Sequence, residues 1–472
     1  MRGRGEEAMT GSGGRPRALV GACMAAALVL GGCTGDGGGT NADATGTDAT
    51  EAITPEPTSP ATIAQPDVSG DLPLAPESQR VDITMPTFSD PTKITNPFFP
   101  VSQQESVLLL GHVDDKPFRT EVTLLPETRI IEWEGQLVEV AVSQYVAFLG
   151  GSIAEVAYDL YAQADDGSVW YFGEDVFDFV DGAIVVTEGT WLAGKDGPAA
   201  MIMPSDPQVG DVYRPENAPG FVFEEVTVRS VTEALNGPLG PIEGGMLSSE
   251  LHSDGSREGK IFAPGYGEFS TSGGGDVEAL ALAVPTDAAS GSMPPELTLL
   301  SDGALSVLDA ARSGNWRTAS ASVSDVIVAW KTYGAGDVPR LVEPVMKRTL
   351  HALSTGVDAR SAARASNAAI ETARLAYDLQ LRFRPVSEID LARMDLWAAQ
   401  LLADEAAGNM EGLAADAFAM DYVRDRIWAA LDESDLARVN VELGEIQIAV
   451  IDEEPKAAAK AAGRLRHILA GL

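Results

Sequence analysis

The sequence predicts an α+β protein in two parts, an antiparallel β-domain built as a curved sheet or partial barrel, followed by an all-α helical bundle. Residues 158–191 hold eight of the chain's 30 aromatic residues and two turn signals, Asp165-Asp166-Gly167-Ser168 and Asp181-Gly182. Aspartate and glycine between alternating apolar runs are typical of hairpins, because glycine supplies the positive φ of a tight turn. From about residue 294 the chain becomes rich in alanine and leucine at helical spacing. A length of 472 residues favours two domains plus unstructured segments.

Residues 1–32 are predicted to be a lipoprotein signal peptide. A basic start with four arginines precedes an apolar stretch over residues 18–30, which is too short for a bilayer span of about 20 residues. The stretch ends in Leu30-Gly31-Gly32-Cys33, which resembles a bacterial lipobox. That resemblance implies cleavage before Cys33 and acylation of its thiol. The alternative is an ordinary secretory signal peptide with a chance cysteine.

Residues 33–94 are predicted to be a flexible tether. They are rich in glycine, threonine, proline, alanine and aspartate, with almost no large apolar residue before Leu72. Such a segment cannot bury enough apolar surface to offset its ordering entropy. As a flexible coil it would span roughly 40 Å, which lifts the folded part off a membrane.

The β-domain is predicted over residues 95–285. Alternation is clear in residues 153–162, where Val156 and Tyr158 point to one face and Asp159 to the other. Short turns with no helical period between the strands indicate an antiparallel sheet. Strands are predicted at residues 107–113, 118–125, 137–146, 153–162, 169–172, 183–187, 221–228, 246–252, 257–263 and 277–283.

Seven short motifs follow one another through this region. They are Asn96-Pro97-Phe98-Phe99-Pro100, Tyr161-Ala162-Gln163, Val169-Trp170-Tyr171-Phe172-Gly173-Glu174, Gly189-Thr190-Trp191, Met203-Pro204, Gly210-Asp211-Val212-Tyr213-Arg214 and Ala263-Pro264-Gly265-Tyr266-Gly267. Their order resembles an uncharacterised family of secreted, often actinobacterial, envelope proteins. The resemblance implies the domain boundary and a cell-envelope setting, and it implies no catalytic activity.

Residues 286–293 are predicted to be a linker, and residues 294–472 a helical bundle. Residues 358–383 place small and apolar residues at alternating spacings of three and four, which forms one continuous stripe. Corners are predicted where glycine, or an acidic run before proline, interrupts the pattern. Four such corners give about eight helices: Ser313-Gly314-Asn315, Thr355-Gly356-Val357-Asp358, Ala407-Gly408-Asn409 and Asp452-Glu453-Glu454-Pro455.

Two acidic residues of the bundle form a candidate metal site. Asp404 and Asp416 lie on the apolar sides of two helices that meet at Gly408, so their carboxylates can approach each other. Hard cations such as Ca²⁺ bind several oxygen ligands. The alternative is that both carboxylates pair with arginines such as Arg424 or Arg426, or face solvent. The four histidines show no metal-binding spacing, and no nucleophile elbow or Walker loop is present.

A candidate ligand pocket lies in the β-domain. Tyr161, Trp170, Glu174, Glu188 and Trp191 are predicted to line the concave face of the sheet, where aromatic side chains suit an apolar or sugar ligand. The alternative is that the same aromatic residues fill the core.

The formal net charge of −37 opposes nucleic-acid binding, because that affinity comes from cationic side chains. We expect a lipid-anchored protein on the extracytoplasmic face of a bacterial membrane, with a binding or scaffolding role, no catalysis and no cofactor. Two alternatives remain: a carrier of an apolar or lipid ligand in the β-domain, and a metal-handling protein that uses the bundle carboxylates. The expected partners are the membrane, through the lipid anchor, and an envelope protein or a small apolar ligand.

Overall fold

An antiparallel sheet of 14 strands forms the first part of the described chain, and eight helices form the second. The computed structural model describes residues 72–187, 189–218, 222–273 and 276–472. The predicted α+β arrangement is confirmed. The predicted signal peptide, Cys33 and most of the predicted tether lie outside the described residues.

The strands follow the chain as successive hairpins. They are β1 Ser106–Val113, β2 Lys116–Trp133, β3 Gln136–Leu149, β4 Ser152–Gln163, β5 Val169–Val180, β6 Ala183–Val186, β7 Trp191–Leu192, β8 Ala200–Met203, β9 Val212–Ala218, β10 Val222–Asn236, β11 Pro241–His252, β12 Arg257–Ala263, β13 Gly267–Gly273 and β14 Asp276–Val284. The sheet order is β6-β5-β4-β3-β2-β1-β14-β13-β12-β11-β10-β9, with β7 and β8 paired to β5. The sheet is therefore curled but not closed, because β6 and β9 stand at its two ends.

The middle strands are buried on both faces. On β1, Val107 and Leu109 line an interior cavity, while Leu108 packs among the helices. On β4, Asp159 lines the cavity, while Val156 belongs to a core shared with the helices. This alternation matches the prediction for β4. One face of these strands therefore forms the interior of the curled sheet, and the helices cover the other.

The helices are α1 Pro295–Arg312, α2 Trp316–Tyr333, α3 Val342–Asp358, α4 Ala362–Gln380, α5 Val386–Ala407, α6 Met410–Ile427, α7 Glu433–Ile451 and α8 Pro455–Leu469. Three of the four predicted corners lie between helices. The corner predicted at Thr355-Gly356-Val357-Asp358 is wrong, because α3 continues through Gly356 and the chain turns at Arg360, whose φ is 50°. A Cβ on Gly356 would come within 2.8 Å of the Ala365 backbone nitrogen, so this glycine permits close packing of α3 on α4.

Two predicted boundaries differ from the structure. Residues 80–94, assigned to the tether, pack against the sheet: Ile94 is fully buried, and Asp82 accepts a hydrogen bond from the Arg214 backbone N–H at 2.9 Å. The predicted linker is also anchored, since Asp287 is buried and its backbone oxygen accepts a hydrogen bond from the side chain of Arg382, in the turn between α4 and α5. Composition predicted unstructured segments here because only a few residues in each segment make the contacts that anchor it to the fold.

Among the described residues, no helix combines the length and the apolar composition that a membrane span requires.

Candidate functional site

The curled sheet encloses a cavity of about 100 Å³. Side chains from most of its long strands reach this cavity, because every second residue of each strand points inward. The wall combines aliphatic and tyrosine side chains with carboxyl groups. Its polar and aromatic members are Phe99, Gln104, Ser143, Tyr145, Asp159, Tyr161, Tyr171, Tyr213, Glu224, Glu250, Lys260, Phe262, Tyr266, Glu268 and Glu278.

Two loops meet at the cavity. The loop that carries Phe99 and Pro100 is joined to the loop that carries Tyr266 by a hydrogen bond from Gly265 N to the Pro97 carbonyl, 2.7 Å. Asn96 holds the first loop in place, because its side chain donates to two backbone carbonyls, those of Gly167 and Pro204. Several of the motifs noted in the sequence therefore lie together around the cavity.

The cavity wall is strongly acidic. Five carboxyl groups line it, and Lys260 is the one cationic side chain among the described lining residues. Burial raises the pKa of Asp159 to about 7, although Tyr171 donates a hydrogen bond to it at 2.7 Å. Burial and the charge of Glu268 raise the pKa of Glu278 to about 8. These carboxyl groups are desolvated without enough positive charge to compensate them.

Lys260 is held among carboxylates. Its ammonium lies 3.0 Å from Glu250 Oε2. Burial lowers the pKa of Lys260, but the charges of Glu250, Glu268 and Glu224 outweigh burial and hold that pKa well above its ordinary value. Lys260 therefore carries a fixed positive charge that offsets one of the surrounding negative charges.

Glu224, Glu250 and His252 form a cluster at the cavity wall. Glu224 on β10 lies directly opposite His252 on β11, and Glu250 lies two residues before His252 on the same strand. One ligand atom from each of the three residues lies within 4.8 Å of the other two. Burial and nearby Lys260 lower the pKa of His252, so its neutral imidazole offers a lone pair. Among the described residues, this is the one group of three side chains spaced to hold a metal ion.

The predicted pocket residues are only partly at this cavity. Tyr161 lines it. Trp170 and Trp191 instead lie in the hydrophobic core at 1% exposure, because Trp170 alternates with the inward-facing Tyr171 and Trp191 packs behind that tyrosine, with ring centroids 5.4 Å apart. Glu174 is buried, and burial and the charge of Glu216 raise its pKa well above the ordinary range. Glu188 lies outside the described residues.

The structure brings Asp404 and Asp416 together. Asp416 is buried, and burial and the charge of Asp404 raise its pKa well above the ordinary range. Asp404 accepts a hydrogen bond from the Asn409 side chain at 2.9 Å. Of the arginines offered as alternative partners, Arg426 pairs with Glu121 at 2.7 Å. The pair thus offers two carboxyl groups, and no third ligand residue among the described ones joins them.

The acidic residues of strands β10, β11 and β12 were not identified from the sequence as part of a site. The signal was present as alternation: Glu250-Leu251-His252 and Glu258-Gly259-Lys260 place two ionisable side chains on one strand face. Polar residues on alternate positions normally indicate the solvent face of an antiparallel strand. Only the curl of the sheet turns that face inward.

No protein-family model matches the sequence, and no curated protein is similar to it.

Proposed function

We propose that this chain is a lipid-anchored protein of the extracytoplasmic membrane face, and that its β-domain binds a small cation in the acidic cavity. The role is binding rather than catalysis. The observation that carries the proposal is the composition of the wall, where five carboxyl groups face one lysine. A cation that enters the cavity gains Coulomb attraction in a desolvated site and relieves the repulsion among the carboxylates.

The size of the cavity favours a small cation over a lipid. A volume of about 100 Å³ corresponds to about three water molecules at the liquid volume of roughly 30 Å³ each. An acyl chain needs more apolar space than that. Tyr161 and Tyr171 line the cavity together with Asp159, which accepts a hydrogen bond from the Tyr171 hydroxyl, and aromatic rings beside a carboxylate suit an organic ammonium group.

Calorimetric titration of the full chain in detergent tests the proposal. The ligands are tetramethylammonium, a set of divalent metal chlorides, and neutral branched alcohols that match tetramethylammonium in size. We expect at least one cation to bind and the neutral molecules to fail. Asp159→Asn should weaken the binding of the ammonium ion, and Asp206→Asn, at an exposed position, should leave it unchanged. Preferential binding of the neutral molecules would favour the apolar-ligand carrier instead.

A further inference from the structure

We infer that Glu224, Glu250 and His252 form a binding site for one divalent transition-metal ion such as Zn²⁺. This inference rests on the proposed function, that the cavity takes a cation, and names the cation. None of the motifs singled out in the sequence contains these residues.

The spacing of the donor atoms fits a small ion. His252 Nδ1 lies 3.4 Å from Glu224 Oε1. In a tetrahedral zinc site, bonds of about 2.0–2.1 Å separate neighbouring donor atoms by about 3.3 Å. The third donor, from Glu250, lies within 4.8 Å of both. A modest inward movement of one glutamate side chain is enough to complete three ligands around one point.

Glu224 supplies an independent reason for a ligand. Its side chain is 1% exposed, and neither carboxyl oxygen accepts a hydrogen bond of ordinary geometry from the described residues. A buried carboxylate normally accepts several hydrogen bonds or coordinates a metal, because desolvation of its charge is otherwise uncompensated. The strand pairing holds Glu224 opposite His252, so the carboxylate is aimed at the cluster.

A carboxylate also lies near the second ring nitrogen of His252. While Nδ1 faces Glu224, Nε2 lies 3.8 Å from Glu258 Oε2 on the neighbouring strand β12. In metal sites, a carboxylate on the far ring nitrogen orients the imidazole and raises its basicity. Glu258 lies on the right side of the ring for this role, and a small side-chain movement has to bring it within hydrogen-bond distance of Nε2.

Lys260 does not oppose a divalent ion here. Its ammonium lies beside one oxygen of Glu250, and a carboxylate has a second oxygen for the ion. With Glu224, Glu250 and Glu258 ionised and Lys260 charged, the local charge is −2, which a divalent ion neutralises. An imidazole ligand favours zinc and its transition-metal neighbours over Ca²⁺ and Mg²⁺, which prefer oxygen ligands.

A metal-binding titration tests the inference. The full chain in detergent is first stripped of metal with a chelator and then titrated with ZnCl₂ or CaCl₂. Calorimetry gives the affinity, and elemental analysis after desalting gives the stoichiometry. We expect one Zn²⁺ per chain and much weaker Ca²⁺ binding. Glu258→Gln should weaken Zn²⁺ binding by roughly 10- to 100-fold, as loss of an outer-shell partner does, and His252→Ala should weaken it further.

His112→Ala is the matched control, since it removes an exposed histidine from β1. It should bind Zn²⁺ like the unaltered chain. Circular dichroism melts of each variant separate loss of the site from loss of the fold, and Glu224→Gln, nearly isosteric, gives a second variant if His252→Ala unfolds. Binding of Zn²⁺ that survives both His252→Ala and Glu224→Gln would overturn the assignment.

The two proposals fail differently. If the chain binds tetramethylammonium but not Zn²⁺, the metal site is refuted and the cation-binding function stands. If it binds neither Zn²⁺ nor any other cation, both are refuted.

Discussion

Replacing Asp378 by alanine is expected to destabilise the sheet and the helices together, by about 3–5 kcal/mol. Asp378 lies on α4 at 0% exposure, and both of its oxygens accept hydrogen bonds from Arg119 of β2 at 2.7 Å. Arg393 of α5 donates a third, at 2.9 Å. This carboxylate therefore joins the sheet to two helices across a buried interface.

The magnitude follows from the charge balance of the cluster. Three arginines face three carboxylates: Arg119, Arg393 and Arg426 against Glu121, Asp378 and Asp390. Removing Asp378 leaves the buried cluster with three arginines against two carboxylates, and so with one uncompensated positive charge. Such a loss costs far more than the pair itself contributes, because the remaining guanidinium groups cannot regain water. Arg119 keeps Glu121 and Arg393 keeps Asp390, which favours the lower end of the range.

Urea denaturation measures the effect, because guanidinium chloride would screen the charges. Tryptophan fluorescence and far-UV circular dichroism should give coincident transitions in the unaltered chain if sheet and helices unfold as one unit. The control is Glu343→Ala on α3, whose pair with Lys347 is exposed and is worth less than about 1 kcal/mol. An Asp378→Ala protein as stable as this control would refute the reasoning.

Three further predictions concern the core, the cavity and the anchor. Trp170→Ala should lower the free energy of unfolding by about 3–5 kcal/mol through lost burial and an unfilled cavity. The control Leu137→Ala, at 74% exposure, should change it by less than about 0.5 kcal/mol. Equal melting temperatures of the two variants would contradict this. The raised pKa values of Asp159, about 7, and Glu278, about 8, mean that the folded state keeps protons that the unfolded chain releases above pH 4–5. Each group should then lower the free energy of unfolding by about 1.4 kcal/mol per pH unit up to its raised pKa, so that thermal melts without added cations fall between pH 5 and pH 8; melts that rise over this window would count against the buried carboxyl groups. Cys33→Ala should release the protein from the membrane fraction, and a variant that still sediments with membranes in high salt would show a different anchor.

Local sequence signals predicted much of the fold. Asn315 and Asn409 open α2 and α6 by accepting hydrogen bonds from the backbone, and Gly408 ends α5 in the left-handed conformation. These features depend on a few neighbouring residues, so they can be read without knowledge of the rest of the chain. The short strands β7, β8 and β9 and the glycine- and serine-rich β13 were missed, because their residues carry weak strand signals and pair only when longer strands are already in place.

The acidic cavity depends on long-range register. Glu224 meets His252 only because β10 and β11 pair at that register, and Glu258 joins them from β12 through its position opposite Glu250. The sequence predicted a pocket in the β-domain lined by Tyr161, Trp170 and Trp191; in the structure Tyr161 lines the cavity and both tryptophans lie in the core.

What the sequence alone determined is therefore the two-part order of strands followed by helices, the type of the longer elements, and the inward or outward alternation in strands such as β4. The tertiary structure decided which surface each face meets. The polar face of β10–β12 turns into the cavity because the sheet curls, and Arg119 and Asp378, 259 residues apart, meet where the helices pack against the sheet. Periodicity records that a face exists, but the identity of the element that covers it depends on contacts between residues far apart in the chain, which no local pattern encodes.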